Sequence, residues 1–537
     1  MRDHDKMIAM QSAVRTGLST LTEGGALSAA ELLGVVRSQA EKITALEHQL
    51  DWFRRQLFGQ KSERFAPEPD PAQLHLGEAF PVPAERAEER KAIGAHTRRA
   101  VTKDGAAEAG EELKFFDESQ VPVQTITLVH ADAEGLAPDQ YEVIGEKITY
   151  RLAQRPGVYH VIKYLRPVIK LKASAKILCL SAPAGVLEGS RADVSFIAGL
   201  LVDKFAWHLP LYRQHQRLAA GGITVSRPWL TQIAQDSIAL LAPIYAAQFD
   251  SVRQSRVKAM DETPIKAGRS GHGKMRTGYF WPVYGERDEV CFPFHPSRSA
   301  SFVCEALGLK PVPGAVFLTD GYAAYEHYAD KSGIKHAQCW AHTRRGFFEA
   351  LTAEPSAAAE AIEQIKALYA TEEQIRALQL SGEAKQMHRL MHSKPRVELF
   401  FEWVDGQLAR HGFTPSNPFI QALNYARERR AGLEIFLADP DVPIDTNHLE
   451  RALRVVPMGR KAWLFCWTEL GARDVGIIQS LIVTCRLHGI HPYTYLVDVL
   501  QRVAEHPASR VAELTPRLWK QLFAANPLRS DIHDFPV

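Results

Sequence analysis

Cysteine is scarce in this chain. Six are scattered over 537 residues, at positions 179, 291, 304, 339, 466 and 485, and no two form a CxxC pair. That argues against a disulfide framework and against a four-cysteine zinc site. The thiols are expected to stay reduced, as in a cytosol. Long apolar runs are missing too: no stretch reaches the ~20 residues that a membrane span needs. No apolar region follows Met1-Arg2-Asp3-His4-Asp5-Lys6, so no signal peptide is expected. An excess of one charge is also lacking. The 64 Lys and Arg against 62 Asp and Glu leave +2, so any surface for a polyanion must be local.

What is present is ordinary for a globular protein, 46% hydrophobic and 23% charged. The length is too great for one core, so about two to four domains are expected. Over residues 1–58, Leu32, Val36, Gln39, Ile43, Leu46, Leu50, Phe53 and Leu57 alternate steps of four and three, an a/d seam with one polar position. It serves either a self-associating coiled coil or an amphipathic helix. Residues 59–116 carry Pro67-Glu68-Pro69-Asp70-Pro71 and a mixed-charge run, and read as a linker. In 117–190 the period turns to two, at Thr125 to Val129, Ile148 to Leu152, Tyr159 to Leu165 and Val168 to Leu171, with a turn at Arg155-Pro156-Gly157. A small β module is predicted.

Residues 191–250 turn helical. Leu211 to Ala220 stops at Gly221-Gly222, and Ser226-Arg227-Pro228 opens the next helix with an N-cap and a first-turn proline. That spacing is a helix-turn-helix pattern, with Arg227, Trp229, Thr231 and Gln232 near the start of the reading helix. An ordinary helical hairpin has the same signature.

Residues 251–350 hold the chemistry. Val257-Lys258-Ala259-Met260 reads as a buried strand that ends at Asp261 and stops at Pro264. Gly278 to Tyr284 and Val290 to Phe294 read as two more strands, giving a meander. Ser301 to Leu309 is a helix, Ala315 to Asp320 a strand, Tyr322, Tyr325 and Tyr328 mark a helix, and His336 to Cys339 is a short strand before a helix with Arg344 and Arg345. Three antiparallel strands, then helix, strand, helix, strand, is a ribonuclease-H-like arrangement. Residues 351–440 are an almost wholly helical insertion, 441–490 return to the core with Glu450 on a helix, and 491–537 read as a helical appendage.

Asp261, Asp320 and Glu450 are the candidate site. Carboxylates at two adjacent strand ends and on a nearby helix suit Mg²⁺, a hard cation that prefers oxygen ligands. Two such cations ~4 Å apart serve phosphodiester chemistry. Taken singly, Asp261 terminates a strand, Asp320-Gly321 is a turn dipeptide, and Glu450 caps its helix with Asn447 or pairs with Arg454. Arg344, Arg345, Arg451, Arg454, Arg460 and Lys461 offer a phosphate-binding rim. Gly268 to Met275 nearly matches a phosphate loop, but Met275 stands where a hydroxyl is required, so a hairpin loop is preferred. His336, Cys339 and His342 have zinc-like spacing without a fourth ligand, so zinc is not expected; His342 remains an auxiliary candidate beside the acids.

At these residues the chain resembles the transposases of bacterial insertion sequence family 66. The resemblance rests on Met260-Asp261-Glu262-Thr263-Pro264, Thr319-Asp320-Gly321-Tyr322-Ala323-Ala324-Tyr325, Cys339-Trp340-Ala341-His342, Glu450-Arg451-Ala452-Leu453-Arg454 and Gly459-Arg460-Lys461-Ala462-Trp463-Leu464-Phe465, with Leu209 to Arg213 and Leu57 to Glu63 in support. It implies a DDE transposase, with its triad on Asp261, Asp320 and Glu450 and a helical insertion before the glutamate. It further implies Mg²⁺ or Mn²⁺, cleavage at the element's ends and strand transfer into target DNA. The expected partners are the terminal inverted repeats, target DNA, a second copy through the heptads, and accessory proteins of the same element. A bacterial, nucleoid-associated cytoplasmic location follows. One departure stands out: the family's cysteine zinc finger is reduced here to Cys179. An inactive DNA-binding remnant and a structure-specific nuclease of the same fold are the alternatives. Nicking separates the first, and joined products separate the second.

Overall fold

The computed structural model describes residues 115–534 apart from 134, 135, 138, 156, 272, 273, 411–415, 465 and 467. The heptad seam and nearly all of the linker lie outside the described residues. The chain divides into two units, 1–106 and 107–537, and everything below concerns the second.

The first sheet is built on a long hairpin. Strands β1 (Val123–Thr127), β2 (Tyr141–Arg155), β3 (Val158–Leu171) and β4 (Ile177–Leu178) take the order β1-β3-β2, with β4 on the far end of β3. Gly157 turns the hairpin at a φ of 94°, where a side chain is disfavoured. The sequence suggested a break at Arg166-Pro167, yet β3 runs straight through. Pro167 pairs with Glu146, and on its other side β1 has ended opposite Leu165 while β4 begins opposite Ile169. A missing N–H costs nothing where no neighbour asks for it.

Three helices follow, α1 (Val194–Phe205), α2 (Leu211–Ala220) and α3 (Arg227–Arg253). Asp193 caps α1, accepting from the Ser195 N–H, and Ser226 caps α3, accepting from the Trp229 N–H at 3.3 Å. Gly222, at a φ of 79°, makes the turn between α2 and α3. Helix α3 is longer than a reading helix requires. Its C-terminal half is driven into the central core, where buried Gln248 donates to the Val290 carbonyl and to Thr484 Oγ1, both at 2.9 Å. One rigid rod thus belongs to both regions, and no linker separates them at residue 250.

The core departs from a simple meander. Strands β5 (Val257–Met260), β6 (Thr263–Gly271), β7 (Lys274–Phe280), β8 (Val283–Gly285), β9 (Glu289–Cys291) and β10 (Phe294–His295) form two sheets. A three-stranded sheet has the order β10-β7-β6. A five-stranded sheet has the order β12-β11-β5-β8-β9, completed by β11 (Val316–Thr319) and β12 (Lys335–Gln338). In the larger sheet β5, β8 and β9 are antiparallel in turn, while β11 and β12 run parallel to β5. Three chain segments cross from one sheet to the other at one level: at Asp261-Glu262, at Trp281-Pro282 and at Phe292-Pro293. Two of the three crossings fall at prolines, Pro282 and Pro293, which cannot donate to a ladder. The Asp261 N–H still reaches the Pro282 carbonyl at 3.3 Å, and the Trp281 N–H the Pro293 carbonyl at 2.9 Å.

The expectation that the first strand stops at Pro264 is therefore corrected. The chain resumes as β6, with Pro264 opposite Tyr279. It is tolerated because β6 is an edge strand. The near-match to a phosphate loop lies on the β6–β7 hairpin, strand to strand, with Gly268 at a φ of 72° beside a register shift.

Helix α4 (Ala300–Leu307) precedes β11, α5 (Ala323–Ser332) joins β11 to β12, and α6 (Trp340–Ala350) leaves β12. The insertion is helical as expected: α7 (Pro355–Ala377), α8 (Gly382–His392), α9 (Lys394–Arg410), α10 (Pro418–Glu428), α11 (Arg430–Leu433) and α12 (Ile435–Ala438). Its anchor is Arg389, wholly buried. The guanidinium forks onto Glu372 at 2.7 and 2.8 Å and donates to the carbonyls of Phe436 and Val442 at 2.9 and 3.0 Å. Saturation of that kind is what a buried charge requires.

After the insertion come α13 (Asn447–Leu453), α14 (Val455–Trp463) and α15 (Glu469–Leu487), then α16 (Pro492–Arg502) and α17 (Pro516–Leu522). The last segment is no appendage. Tyr493 donates to the Gln154 carbonyl at 2.7 Å, Ser530 to Asp193 at 2.6 Å, and Tyr164 to Asp531 at 2.7 Å. Ile532 is fully buried with Ala153, Ile162 and Tyr164 of the hairpin. The apolar core runs without interruption from Phe116 to Trp519. Among the described residues no helix is long and apolar enough to cross a membrane.

This clamp makes a prediction. Ile532→Ala empties a closed site and should cost ~2–5 kcal/mol locally. Amide exchange should accelerate in β2 and β3 and stay unchanged in the five-stranded sheet. Equal exchange in variant and parent would mean the tail is not a clamp.

Candidate active site

Sheet register sets the first pair of acids. Strand β11 pairs with β5 in parallel, Leu318 opposite Ala259, and the same register carried two residues on puts Asp320 beside Asp261. Both follow four-residue strands that are buried throughout, so their backbone positions are rigid. Asp320 bends back to accept from the Tyr322 N–H at 3.0 Å, the turn contact its sequence suggests, and Asp261 accepts from the Glu262 N–H at 2.7 Å.

The third acid arrives through the chain's return from the insertion. The Trp340 N–H donates to the Ile444 carbonyl at 3.1 Å, and its ring N–H to the Leu433 carbonyl at 2.9 Å. Buried Cys339 Sγ accepts from the Thr446 N–H at 3.3 Å. These bonds lay residues 444–446 along the start of α6, and α13 begins there. The anticipated Asn447 cap is not formed; Thr446 is the capping position. Glu450 Oε1 instead lies 3.9 Å from His342 Nε2 of α6.

Electrostatics tie the acids together. Burial first, and then the Glu450 charge, push the Asp261 carboxyl up to about 7, with Glu262 and Asp320 adding to the repulsion. Burial opposes a charge on His342, but the Cys339 sulfur and then the Asp320 and Asp261 carboxylates outweigh it and raise the imidazole to about 9. Protonation of His342 is thereby favoured beside Glu450. Glu262 does not join them. Its side chain is 5% exposed and is bound by the Tyr325 hydroxyl and by Arg298, whose Nε lies at 2.8 Å.

The remaining candidates are spread out. Arg344 and Arg345 are exposed on α6, and Arg345 reaches Glu349 at 3.2 Å. Arg451 on α13, Arg454 at the junction of α13 and α14, and Lys461 on α14 are exposed. Arg460 bonds the Pro264 carbonyl, which closes α14 onto β6. At the start of α3, Arg227, Thr231 and Gln232 are exposed, and Gln232 donates to Asp236 at 2.7 Å. Trp229 is instead stacked on Phe196, with ring centroids 5.9 Å apart, and half-buried in the core. His336 is pushed down to about 4 by burial and then by the Arg429 charge, and stays neutral.

The model described as Transposase IS66 family matches residues 189–474, a span containing Asp261, Asp320 and Glu450. The chain belongs to the IS66 transposase family. An IS66 C-terminal element matches 480–517 of the transposase, and Transposase C of IS166 homeodomain matches 45–109. Full-length relatives occur in Sinorhizobium fredii (strain NBRC 101917 / NGR234). "Uncharacterized protein y4hP" is 29% identical over 515 residues, 90% of each chain. "Uncharacterized protein y4qI" is 28% identical over 532 residues, 95% of each. As an insertion-sequence transposase the protein has DNA as its partner.

Sequence reasoning passed over two residues beside this site, Gln338 at the end of β12 and Arg429 after α10. Arg429 donates to the Gly321 carbonyl at 3.2 Å. Nothing in a linear reading joins positions 338 and 429 to Asp320.

Cation-free transposase carries the crowding as a pH dependence. The Asp261 value in the folded state, about 7, exceeds its ordinary 3.8. Between those limits the folded chain keeps a proton that the unfolded chain has shed, so stability falls as pH rises through the window. In EDTA at pH 8, Asp261→Asn should melt roughly 1–4 °C above the parent and lose that fall. Identical pH profiles would rule out the crowding.

Proposed function

We propose that the transposase cuts DNA at its element's ends and joins the freed 3′-hydroxyl to target DNA, with Asp261, Asp320 and Glu450 as the working acids of a ribonuclease-H-like core. The observation that carries this is the sheet register that sets Asp320 beside Asp261, with the Asp261 carboxyl raised by burial first and then by the Glu450 charge. The strand order β9-β8-β5-β11-β12, three antiparallel and then two parallel, supports the core assignment.

The three acids are the residues that would hold Mg²⁺ or Mn²⁺. Their oxygens are the hard donors such ions take, and their mutual repulsion is what a divalent charge relieves. Among the described residues no three His, Cys, Asp or Glu side chains already form a metal-binding group. Mg²⁺ needs only one or two carboxylates, with water and phosphate completing its shell, so pairs drawn from these three suffice. Bound divalent ions supply activation of the attacking oxygen and charge stabilisation of the leaving one. The protein's part is placement. The two strand ends fix Asp261 and Asp320, the Cys339–Thr446 contact fixes the start of α13, and His342 offsets the surplus negative charge beside Glu450.

DNA contact falls to exposed bases. Arg227 and Gln232 on the first turns of α3 are offered to the terminal repeats. Arg344, Arg345, Arg451, Arg454 and Lys461 are offered to phosphates near the acids. Trp229 packs on Phe196 with part of its ring still exposed, and that part is offered to DNA beside Arg227. Pairing through the N-terminal heptads, accessory proteins of the same element and association with the nucleoid complete the proposal.

Two results are expected. With Mg²⁺ and duplexes carrying the element's own ends, Asp261→Asn, Asp320→Asn and Glu450→Gln should each slow nicking by about 10³-fold or more while gel-shift binding persists. Parent-like nicking by Asp261→Asn would overturn the assignment. Arg227→Ala should lower the slope of log affinity against log salt by about one, and an unchanged slope removes α3 from the DNA interface.

A further inference from the structure

From Arg451 to Leu464 the chain carries Arg451, Arg454, Arg460 and Lys461 and no Asp or Glu. The helical bonding runs on between α13 and α14: the Arg454 N–H reaches the Glu450 carbonyl at 3.2 Å and the Met458 N–H the Arg454 carbonyl at 3.1 Å. Arg451, Arg454, Met458 and Lys461 therefore follow one face. All four are exposed, Met458 at 55%. A basic stripe without a carboxylate suits a polyanion.

The stripe ends at Leu464, where the backbone does what packing does not ask for. The Leu464 N–H closes the last turn of α14 on the Arg460 carbonyl at 2.8 Å. Its φ and ψ are 63° and −55°, the strained hand of a γ-turn, in which a bulky side chain is an outlier. Trp463 folds back over Gly459, where a Cβ would meet its Nε1 at 2.7 Å, and Cys466 is only 7% exposed. Leu464 between them is turned out, 63% exposed. Glycine would take this turn with less strain, and a polar side chain would meet water at less cost. Strain that holds an apolar side chain in solvent points to a function for that side chain. Its place is also fixed near the acids. Arg460, one turn before it, bonds the carbonyl of Pro264, just past Asp261 along the chain, and the Cys466 N–H bonds the Lys266 carbonyl at 2.8 Å.

We infer that Leu464 is an apolar wedge that enters the DNA at a base step beside the phosphodiester served by the acids, while the basic stripe holds the flanking phosphates. The inference rests on the reading of the acids given above. DNA is a polyanion with apolar faces between its stacked bases, and a leucine inserted there unstacks the step and kinks the duplex. The kink turns the phosphodiester towards Asp261 and Glu450. Leu464 is a positioning residue, and no step of the chemistry passes through it.

The test uses full-length protein and duplexes of the element's own end in Ca²⁺, with 2-aminopurine placed in turn at each position around the nick. The parent should brighten one step severalfold. Leu464→Ala should bring that step to within about twofold of free DNA while still shifting the duplex in a gel, and Leu464→Met should keep the signal. Leu464→Gly should lose the signal yet melt no lower than the parent, because glycine suits the turn. In Mg²⁺, Leu464→Ala should nick about tenfold more slowly. A mismatch at the bright step, unstacked beforehand, should restore most of that loss. The inference is overturned if no step brightens, if Leu464→Ala keeps the signal, or if the mismatch restores nothing. A lower melting temperature for Leu464→Gly overturns it in favour of a structural role. Loss of a DNA-free dimer in Leu464→Ala overturns it in favour of an interface with a second copy. Normal nicking by the parent without brightening defeats the wedge alone, whereas brightening without nicking upholds the wedge and defeats the assignment of the acids.

Discussion

Burial first, and after it the nearby charges of Glu450, Glu262 and Asp320, hold the Asp261 carboxyl up at about 7, and that is where this molecule bears the cost of crowded acids. The acids do not relax apart because each is fixed by backbone. Asp261 sits where β5 gives way to β6 as the chain changes sheets. Asp320 is tied to the same register by β11. Glu450 is set by a helix whose first residues are bonded along the start of α6. Rigid placement of mutually repelling oxygens destabilises the protein alone.

The insertion would be expected to loosen this arrangement, since it separates Asp320 from Glu450 by 130 residues (450 − 320). It does the reverse. Buried Arg389 binds the insertion's own Glu372 and also the carbonyls of Phe436 and Val442, so departing and returning chain are locked together. Arg429 then reaches the Gly321 carbonyl. The insertion is a brace between two of the acids. The same logic holds at the other end of the chain, where Ile532 and Asp531 close over the hairpin, and at α3, one rod shared by the helix-turn-helix and the core.

Much of this was legible along the chain. The caps at Ser226 and the turn at Gly222, the buried strands before Asp261 and Asp320, the helical insertion and the helix of Glu450 all follow from local periodicity and capping. The failures share a cause. Pro264 was weighed by what proline does to its own strand, and Pro282 and Pro293 were passed over inside predicted strands. The effect of a proline depends on whether a neighbouring strand asks for the missing N–H, and that is a property of the sheet. Nor could local spacing show that Trp229 would stack on Phe196 from another helix.

By itself the sequence determined which residues are chemically able to act: hard carboxylates at strand ends, no cysteine cage, no membrane-length run, bases on the first turns of α3. It also determined the family, because separated motifs keep their order. Only the tertiary structure decided which of these groups share a space. It brought His342 beside Glu450, turned Glu262 aside to Tyr325 and Arg298, and joined Gln338 to Arg429 across the insertion. The reason is physical: residue type and local spacing fix what a side chain can do and how its own element folds, but burial and charge coupling are set by neighbours from distant parts of the chain.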